Sequence, residues 1–208
     1  MDDIVSISRL YKFERICTLE ESPKLTGYEI LSASRHHDWV AIDRRTLTDI
    51  GKIDTNLIGN VSLNLCSDSI INLEDSVVQK AALARPGLIL EWVENACTQR
   101  DLKLAAQALK RWRKDFGIRI SIDDIGKGQD GTERFLAVIP DFAKIEGTLL
   151  HHARHSPQHR RVIKHLCEWC RGENVPTVIE WVESFTDLQI AIDCGGVYGQ
   201  GYHFERMK

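Results

Sequence analysis

The sequence predicts an α/β fold in which short apolar strands alternate with longer amphipathic helices. Apolar runs recur along the chain, and segments with helical periodicity separate them. This alternation is typical of a parallel sheet. Seven or eight such strands favour a (β/α)8 TIM-like barrel, although 208 residues is short against the usual length of about 250. A doubly wound sheet is the alternative.

The elements follow from these patterns in chain order. The predicted strands are Leu25–Ser32, Asn60–Leu65, Gly87–Trp92, Ile118–Ile122, Phe142–Ile145, Thr177–Glu180 and Gly196–Gln200. The predicted helices are Ala41–Ile53, Leu73–Ala84, Arg100–Phe116, Gly131–Val138, Pro157–Arg171 and Ser184–Asp193. The clearest helix is Arg100–Phe116, because its apolar residues share one face and Gly117 supplies a stop.

Length and composition indicate one domain over residues 1–208, with no low-complexity linker. The 27 basic and 30 acidic side chains give a net charge of −3, which argues against DNA or RNA binding through a basic surface. The N-terminus carries Asp2 and Asp3 and has no apolar core of signal-peptide length. No run approaches a membrane span. We therefore expect a cytoplasmic protein that does not enter a membrane.

Polar side chains stand at the C-terminal end of almost every predicted strand. They are Glu29, Asn64, Glu91, Glu94, Asp123, Asp124, Lys144, Glu146, Glu180, Glu183 and Gln200. In a parallel barrel these ends converge on one mouth, where catalytic groups lie. Any one such acid is most often a helix cap or a solvated loop residue. Their recurrence at successive strand ends is the stronger signal.

The adjacent carboxylates of Asp123 and Asp124, within ISIDDIGKG, need a positive partner because like charges repel. A metal ion, a lysine or water could lie between them. Carboxylates with one amide suit Mg²⁺ or Mn²⁺ rather than zinc. Two adjacent aspartates can bridge a pair of such ions, the arrangement that displaces an oxygen at phosphorus. The pattern therefore favours two divalent ions.

Seven segments in order resemble the EAL domains, cyclic-di-GMP phosphodiesterases of bacteria. YEIL resembles the naming motif, SLNL the asparagine strand and LILEWVENA the L-x-L-E-x-x-E element. IDDIGKG resembles D-D-F-G-T-G, FAKIEG resembles L-K-I-D, IEWVES resembles A-E-G-V-E-T, and YGQGYHF resembles the glutamine turn. The resemblance implies a modified TIM barrel whose first strand is antiparallel. It also implies hydrolysis of cyclic-di-GMP to linear pGpG with two Mg²⁺ or Mn²⁺ ions.

The resemblance also implies a role for each matching residue. Glu29, Asn64, Glu91 and Asp123 would hold the first metal, and Asp123 would bridge to a second beside Asp124 and Glu180. Lys144 would orient or help activate the attacking water, and Gln200 would support the water network. Glu94 would hold the loop that follows Asp123 and Asp124.

Several positions depart from the family pattern around the expected substrate groove. Ala33 stands where the family has a phosphate-binding arginine, and Arg35 lies two residues on. The segment between Glu29 and Asn64 is short and lacks the proline-led helix of typical members. Trp181 replaces a small glycine and Glu146 an aspartate. The metal ligands are thus present while the groove is altered.

Three functions remain open. The first is a cyclic-di-GMP phosphodiesterase. The second is a weak or inactive EAL-like regulatory module that binds a protein partner or the dinucleotide, and a homodimer is also possible. The third is another metal-dependent barrel enzyme, such as an enolase-like one, which the ordered motifs argue against.

The motif Cys167-Glu-Trp-Cys170 could be redox-active or bind zinc with His159 or His165, but its helical context favours buried thiols.

Overall fold

A computed structural model describes residues 10–34, 38–53, 57–94, 98–128 and 130–206. The strands are β1 Tyr11–Thr18, β2 Leu25–Ser32, β3 Asn60–Leu65, β4 Ile89–Trp92, β5 Arg119–Ile125, β6 Phe142–Ile145, β7 Thr177–Ile179 and β8 Tyr198–Gln200. The helices are α1 Trp39–Asp49, α2 Ser67–Asn72, α3 Asp75–Ala84, α4 Gln99–Phe116, α5 Asp130–Val138, α6 Gly147–Ala153, α7 Pro157–Gly172, α8 Phe185–Asp193 and α9 Tyr202–Glu205.

The strands form a closed barrel in the order β1 to β8. The pairs β3–β4, β5–β6, β6–β7 and β7–β8 are parallel, and β1 is antiparallel to β8. The predicted fold class, a TIM-like barrel of EAL type with an antiparallel first strand, is thereby confirmed. A single described helix, α1, lies between β2 and β3, which accounts for the shortened segment between Glu29 and Asn64.

Strand β1 is absent from the strands predicted by periodicity. Only Tyr11 and Cys17 are buried in it, and the residues between them are half-buried or exposed. The polar residues Lys12, Glu14 and Arg15 interrupt the apolar pattern that identifies the other strands. Its place is fixed instead by pairing with β8, in which Ile16 lies opposite Gln200.

The chain divides into two compact units, and the first contains the described residues up to Phe13 together with Tyr28–Ile120. Helix α4 is its longest element. Thr98 and Asp101 form a reciprocal capping box at its start, and Gly117 ends it in the left-handed conformation. Its apolar face is buried, and Trp112 on that face donates a hydrogen bond to Asp75 of α3 (2.7 Å).

The second unit contains Glu14–Gly27 and the described residues from Ser121 onward. Helix α7 begins with Pro157 after the cap Ser156, and its buried face includes Cys167 and Cys170. Burial raises the pKa of the Cys167 thiol to about 11 and that of Cys170 to about 12. The interpretation of the C-x-x-C motif as buried helix thiols agrees with this placement.

Helices α2, α6 and α9 were not predicted from periodicity, because stretches of four to seven residues are too short to establish it.

Among the helices of the described residues, none is long and apolar enough to cross a membrane.

Candidate active site

In the first unit, three predicted ligands lie on neighbouring strands. Glu29 on β2 accepts a hydrogen bond from Nδ2 of Asn64 on β3 (2.8 Å between Oε1 and Nδ2). Asn64 lies in register with Glu91 of β4. Glu29 and Glu91 are buried, and Asn64 is half-buried. The structure thus brings together two carboxylates and one amide, as the sequence predicts for this part of the site.

The donor set of the first unit fits a hard cation. Because Nδ2 of Asn64 donates to Glu29, its Oδ1 is the amide atom left to accept, and this buried oxygen receives no hydrogen bond from the described residues. A buried acceptor in this state is costly unless it is satisfied by a ligand. Mg²⁺ and Mn²⁺ bind such amide and carboxylate oxygens.

A cavity of about 340 Å³ lies in the first unit beside Asn64. Its wall is mainly apolar and includes Ile30, Trp39 and Ile42, with Asp43 and Glu94 among its polar residues. Burial raises the pKa of Asp43, although Ser69 and the Cys66 amide donate hydrogen bonds to its carboxylate. Glu94 itself is exposed, and its predicted role in holding the aspartate loop stays a prediction.

Of the two positions considered for the missing arginine, Ala33 is exposed at the end of β2. Arg35 lies outside the described residues.

In the second unit, an irregularity in β5 brings the two adjacent aspartates together. The register between β5 and β6 shifts between Ile122 and Ile125, and Asp124 adopts φ 58°. In a regular strand the side chains of Asp123 and Asp124 would point to opposite faces. Instead, both side chains lie near that of Glu180. Each of the three residues places one carboxylate oxygen within 4.8 Å of the other two such oxygens. We call these three residues the carboxylate cluster.

Contacts from helix α5 support this irregular backbone. The guanidinium of Arg134 is buried and donates a hydrogen bond to the carbonyl of Asp123 (3.0 Å). Gly131 allows the helix to approach closely, because a Cβ there would lie 3.2 Å from the carbonyl oxygen of Asp124. The conformation that gathers the carboxylates is therefore part of the packed structure.

Lys144 on β6 supplies a buried positive charge to the carboxylate cluster. Its Nζ lies 3.2 Å from Oδ1 of Asp123 and 2.9 Å from Oε1 of Glu180. The Lys144 side chain is 3% exposed, and those of Asp123 and Glu180 are 16% and 14% exposed. The resemblance implies that Lys144 orients or helps activate the attacking water, and that role stays a prediction; the structure adds its ion pairs with Asp123 and Glu180.

A second lysine, Lys127, also contacts the cluster. Its Nζ lies 3.0 Å from Oδ2 of Asp124, and its side chain is 55% exposed. The resemblance matches IDDIGKG to the family's D-D-F-G-T-G and assigns Lys127 no function. Three carboxylates thus face two ammonium groups, because Lys144 contacts Asp123 and Glu180 while Lys127 contacts Asp124.

Gln200 on β8 has a partner that sequence reasoning missed. Its Nε2 donates a hydrogen bond to Oε2 of Glu14 on β1 (2.8 Å). Gln200 is buried, and Glu14 is half-buried. Glu14 could not be found without predicting β1, whose polar residues conceal its periodicity.

The other acids at the strand ends of the second unit take part in local contacts. The carboxylate of Glu146 accepts a hydrogen bond from the Thr148 hydroxyl. Glu183 is exposed and forms an ion pair with Arg154 (3.1 Å). Neither belongs to the carboxylate cluster found by proximity.

Trp181 follows Glu180 in the sequence and packs against Gly147. Its backbone has φ 56°, a left-handed conformation that costs a non-glycine residue about 1–2 kcal/mol. A Cβ on the buried Gly147 would lie 2.6 Å from Cδ1 of the indole and closer still to two other ring atoms. The indole therefore lies against the backbone of Gly147, and the residue remains 50% exposed.

The fold and the site together define a TIM-like barrel with a carboxylate cluster and a buried lysine. The chain matches the family model of the EAL domain over residues 44–207, and it belongs to that family. EAL domains use divalent metals, so the carboxylate cluster is in keeping with the family. The match begins after Glu29, whose role therefore depends on the structure and on the YEIL resemblance.

Two curated relatives match part of the chain. The uncharacterized EAL-domain containing protein YkuI of Bacillus subtilis is 31% identical over 90 residues, which are 43% of this chain and 22% of YkuI. The probable cyclic di-GMP phosphodiesterase PdeI of Escherichia coli is 29% identical over 90 residues, which are 43% of this chain and 11% of PdeI. The aligned region is thus a minor part of each relative's length.

Solved structures share the fold. A standalone EAL protein from Vibrio cholerae O395, bound to c-di-GMP, has a TM-score of 0.78 at 18% identity, covering 92% of this chain and 89% of that one. The PaMucR phosphodiesterase, in complex with c-di-GMP, has a TM-score of 0.76 at 19% identity, covering 99% and 94%. BlrP1 of Klebsiella pneumoniae, in a complex with calcium and the same dinucleotide, has a TM-score of 0.71 at 17% identity, covering 93% and 54%. These likenesses establish the barrel.

Proposed function

We propose that this EAL domain hydrolyses cyclic-di-GMP to linear pGpG with two Mg²⁺ or Mn²⁺ ions. The observation that carries the proposal is the carboxylate cluster, two of whose members, Asp123 and Glu180, form ion pairs with the buried Lys144. Family membership supports the substrate, because the related PdeI is named as a probable cyclic di-GMP phosphodiesterase and the similar PaMucR structure holds the dinucleotide.

The predicted ligands divide between the two units, and each set has the chemistry that the ions require. Glu29, Asn64 and Glu91 supply two carboxylates and an amide in one unit. Asp123, Asp124 and Glu180 supply three carboxylates in the other. When bound, divalent ions lower the pKa of water and stabilise charge that develops on phosphoryl oxygens.

In addition to those ligands, the proposed catalytic residues are Lys144, Gln200 and Glu180. Two carboxylates hold the Lys144 ammonium, which donates hydrogen bonds and can orient the attacking water. Glu14 fixes the Gln200 amide by accepting from Nε2. In the reaction the water oxygen bonds to phosphorus, the bond from phosphorus to the 3′ oxygen breaks, and that oxygen takes up a proton. The product carries one 5′ phosphate and one 3′ hydroxyl.

A second candidate function is a binding module that turns the dinucleotide over slowly or not at all, or that binds a protein partner or a second copy of the chain. Two observations favour it. Lys127 contacts the Asp124 carboxylate that an ion would need. Ala33 also stands in place of the arginine that the family uses to contact substrate phosphate.

The proposal is tested by following pGpG formation from cyclic-di-GMP with Mg²⁺ or Mn²⁺ by chromatography. Glu29→Ala and Lys144→Ala should each reduce the rate at least 100-fold, because each removes a group from the proposed site. Exposed residues of the same types, changed in Glu21→Ala and Lys24→Ala, should leave it within about twofold. A folded wild type that binds the dinucleotide without forming product would establish the binding module instead.

A further inference from the structure

The Trp181 indole lies against Gly147, and the backbone on both sides of Trp181 is hydrogen-bonded. The amide of Glu180 donates to the carbonyl of Ile145 (3.2 Å), and that of Val182 donates to the carbonyl of Gln200 (3.0 Å). The Val182 carbonyl in turn accepts from the amide of His203 (2.9 Å). Both neighbours of Trp181 are therefore anchored in the backbone, while the indole lies against Gly147.

This arrangement differs from that of an ordinary packed tryptophan. A tryptophan that served only the core would be covered, whereas Trp181 is half exposed. It also occupies a left-handed conformation that favours glycine. The sequence therefore keeps a large, oriented aromatic surface immediately after Glu180 of the carboxylate cluster.

We propose that Trp181 is a stacking platform for a nucleobase of the bound dinucleotide. An indole offers a flat π-face, and stacking of a base on an aromatic side chain is worth about 1–3 kcal/mol by alanine substitution. At 1.4 kcal/mol per tenfold change, this range is about 5- to 150-fold in Kd. The inference rests on the proposed substrate, but it concerns binding and does not require turnover.

The test measures cyclic-di-GMP binding by calorimetry, with Ca²⁺ present and no other divalent metal. Trp181→Ala should raise Kd between about 5- and 150-fold, and Trp181→Phe should keep most of the affinity because it retains a π-face. Gly147→Ala keeps Trp181 but displaces its ring, so it should also raise Kd. The matched control is Gly172→Ala, since a Cβ at Gly172 meets no atom within 4 Å.

Tryptophan fluorescence is a second measurement of the proposed contact between the nucleobase and the Trp181 indole. The wild type should lose emission on binding the dinucleotide, and Trp181→Phe should bind without that loss, because a stacked base quenches the indole it covers. Mn²⁺ affinity, measured without nucleotide, should stay within twofold in Trp181→Ala and so separate base stacking from damage to the metal ligands.

Two outcomes would overturn the inference. If folded Trp181→Ala and Gly147→Ala both bind within twofold of the wild type, no base rests on the indole. If the wild type itself fails to bind cyclic-di-GMP at millimolar concentration, the inference falls together with the proposed substrate. A wild type that binds through Trp181 but forms no pGpG would contradict only the proposed catalysis.

Discussion

Replacing Lys144 with methionine removes the buried cation from the carboxylate cluster while keeping a long apolar side chain in its place. The structure places this ammonium within 3.2 Å of Asp123 and 2.9 Å of Glu180. After the change, the ammonium that contacts Asp123 and Glu180 is gone, while the exposed Lys127 still contacts Asp124. Like charges so close disfavour the folded state unless another cation enters.

The expected loss of stability follows from burial. Breaking a buried ion pair by removing one partner costs about 3–5 kcal/mol, and partial exposure of Asp123 and Glu180 places this case near the lower end, at about 3 kcal/mol. For a chain of this size each kcal/mol shifts Tm by about 2–4 °C, so Lys144→Met should lower Tm by about 6–12 °C.

The assay is thermal and urea unfolding with EDTA and then with Mn²⁺. Because the variant cluster carries one more uncompensated negative charge, Mn²⁺ should raise its Tm more than that of the wild type. Lys24→Met, which changes a lysine 77% exposed, should shift stability by less than about 0.5 kcal/mol. The proposed role of Lys144 is refuted if Lys144→Met lowers the free energy of unfolding by less than about 1 kcal/mol. It is also refuted if Mn²⁺ raises the Tm of Lys144→Met and of the wild type equally.

Three further predictions follow from other contacts. Lys127→Thr should strengthen Mn²⁺ binding at the cluster by about 2- to 5-fold, since it frees Asp124 of this exposed ion pair, and calorimetry that shows unchanged affinity would contradict this. Burial tends to raise the pKa of Asp187, but hydrogen bonds from Arg154 and Ser184 outweigh it and hold that pKa below its usual value. The stability that Asp187 contributes is therefore present above the unfolded pKa of about 3.9 and is lost as pH falls further. In acid unfolding, the free energy of unfolding of Asp187→Asn should thus fall less steeply below about pH 4 than that of the wild type. The five described cysteines are buried and their pKa values are raised, so peptide mapping after alkylation should find them labelled only on unfolding; labelling of Cys167 or Cys170 in the native protein would contradict their burial.

Most of the barrel could be predicted because its strands are short apolar runs with clear ends. Asn60–Leu65 and Phe142–Ile145 have the same bounds in the sequence prediction and in the structure. Strand β1 was missed because the polar residues Lys12, Glu14 and Arg15 interrupt the alternation of apolar and polar residues there. Only its pairing with β8 identifies it.

The site was predictable in its residue types but not in its local geometry. Strand-end position was enough to single out Asp123, Asp124 and Glu180, since parallel strands end at a common edge. The left-handed φ of Asp124 and the register shift that gathers these carboxylates leave no signal in periodicity. The reach of Lys127 to Asp124 depends on the same turn and could not be foreseen.

The fit between Trp181 and Gly147 was likewise beyond sequence reasoning. The sequence shows that a tryptophan replaces a glycine, and it leaves open whether the indole crowds the substrate groove or packs elsewhere. In the structure the indole lies against Gly147, 34 positions earlier, because this glycine has no side chain in the space that the ring occupies. Such complementarity is a property of the tertiary structure.

A single-turnover experiment tests the central claim most directly. Purified protein in large excess over cyclic-di-GMP is mixed with Mn²⁺, and the products are separated by chromatography over time. Our account predicts that the dinucleotide disappears in one exponential phase with stoichiometric appearance of pGpG, and that EDTA abolishes the reaction. Intact cyclic-di-GMP after prolonged incubation with folded, metal-loaded protein would contradict the proposed phosphodiesterase.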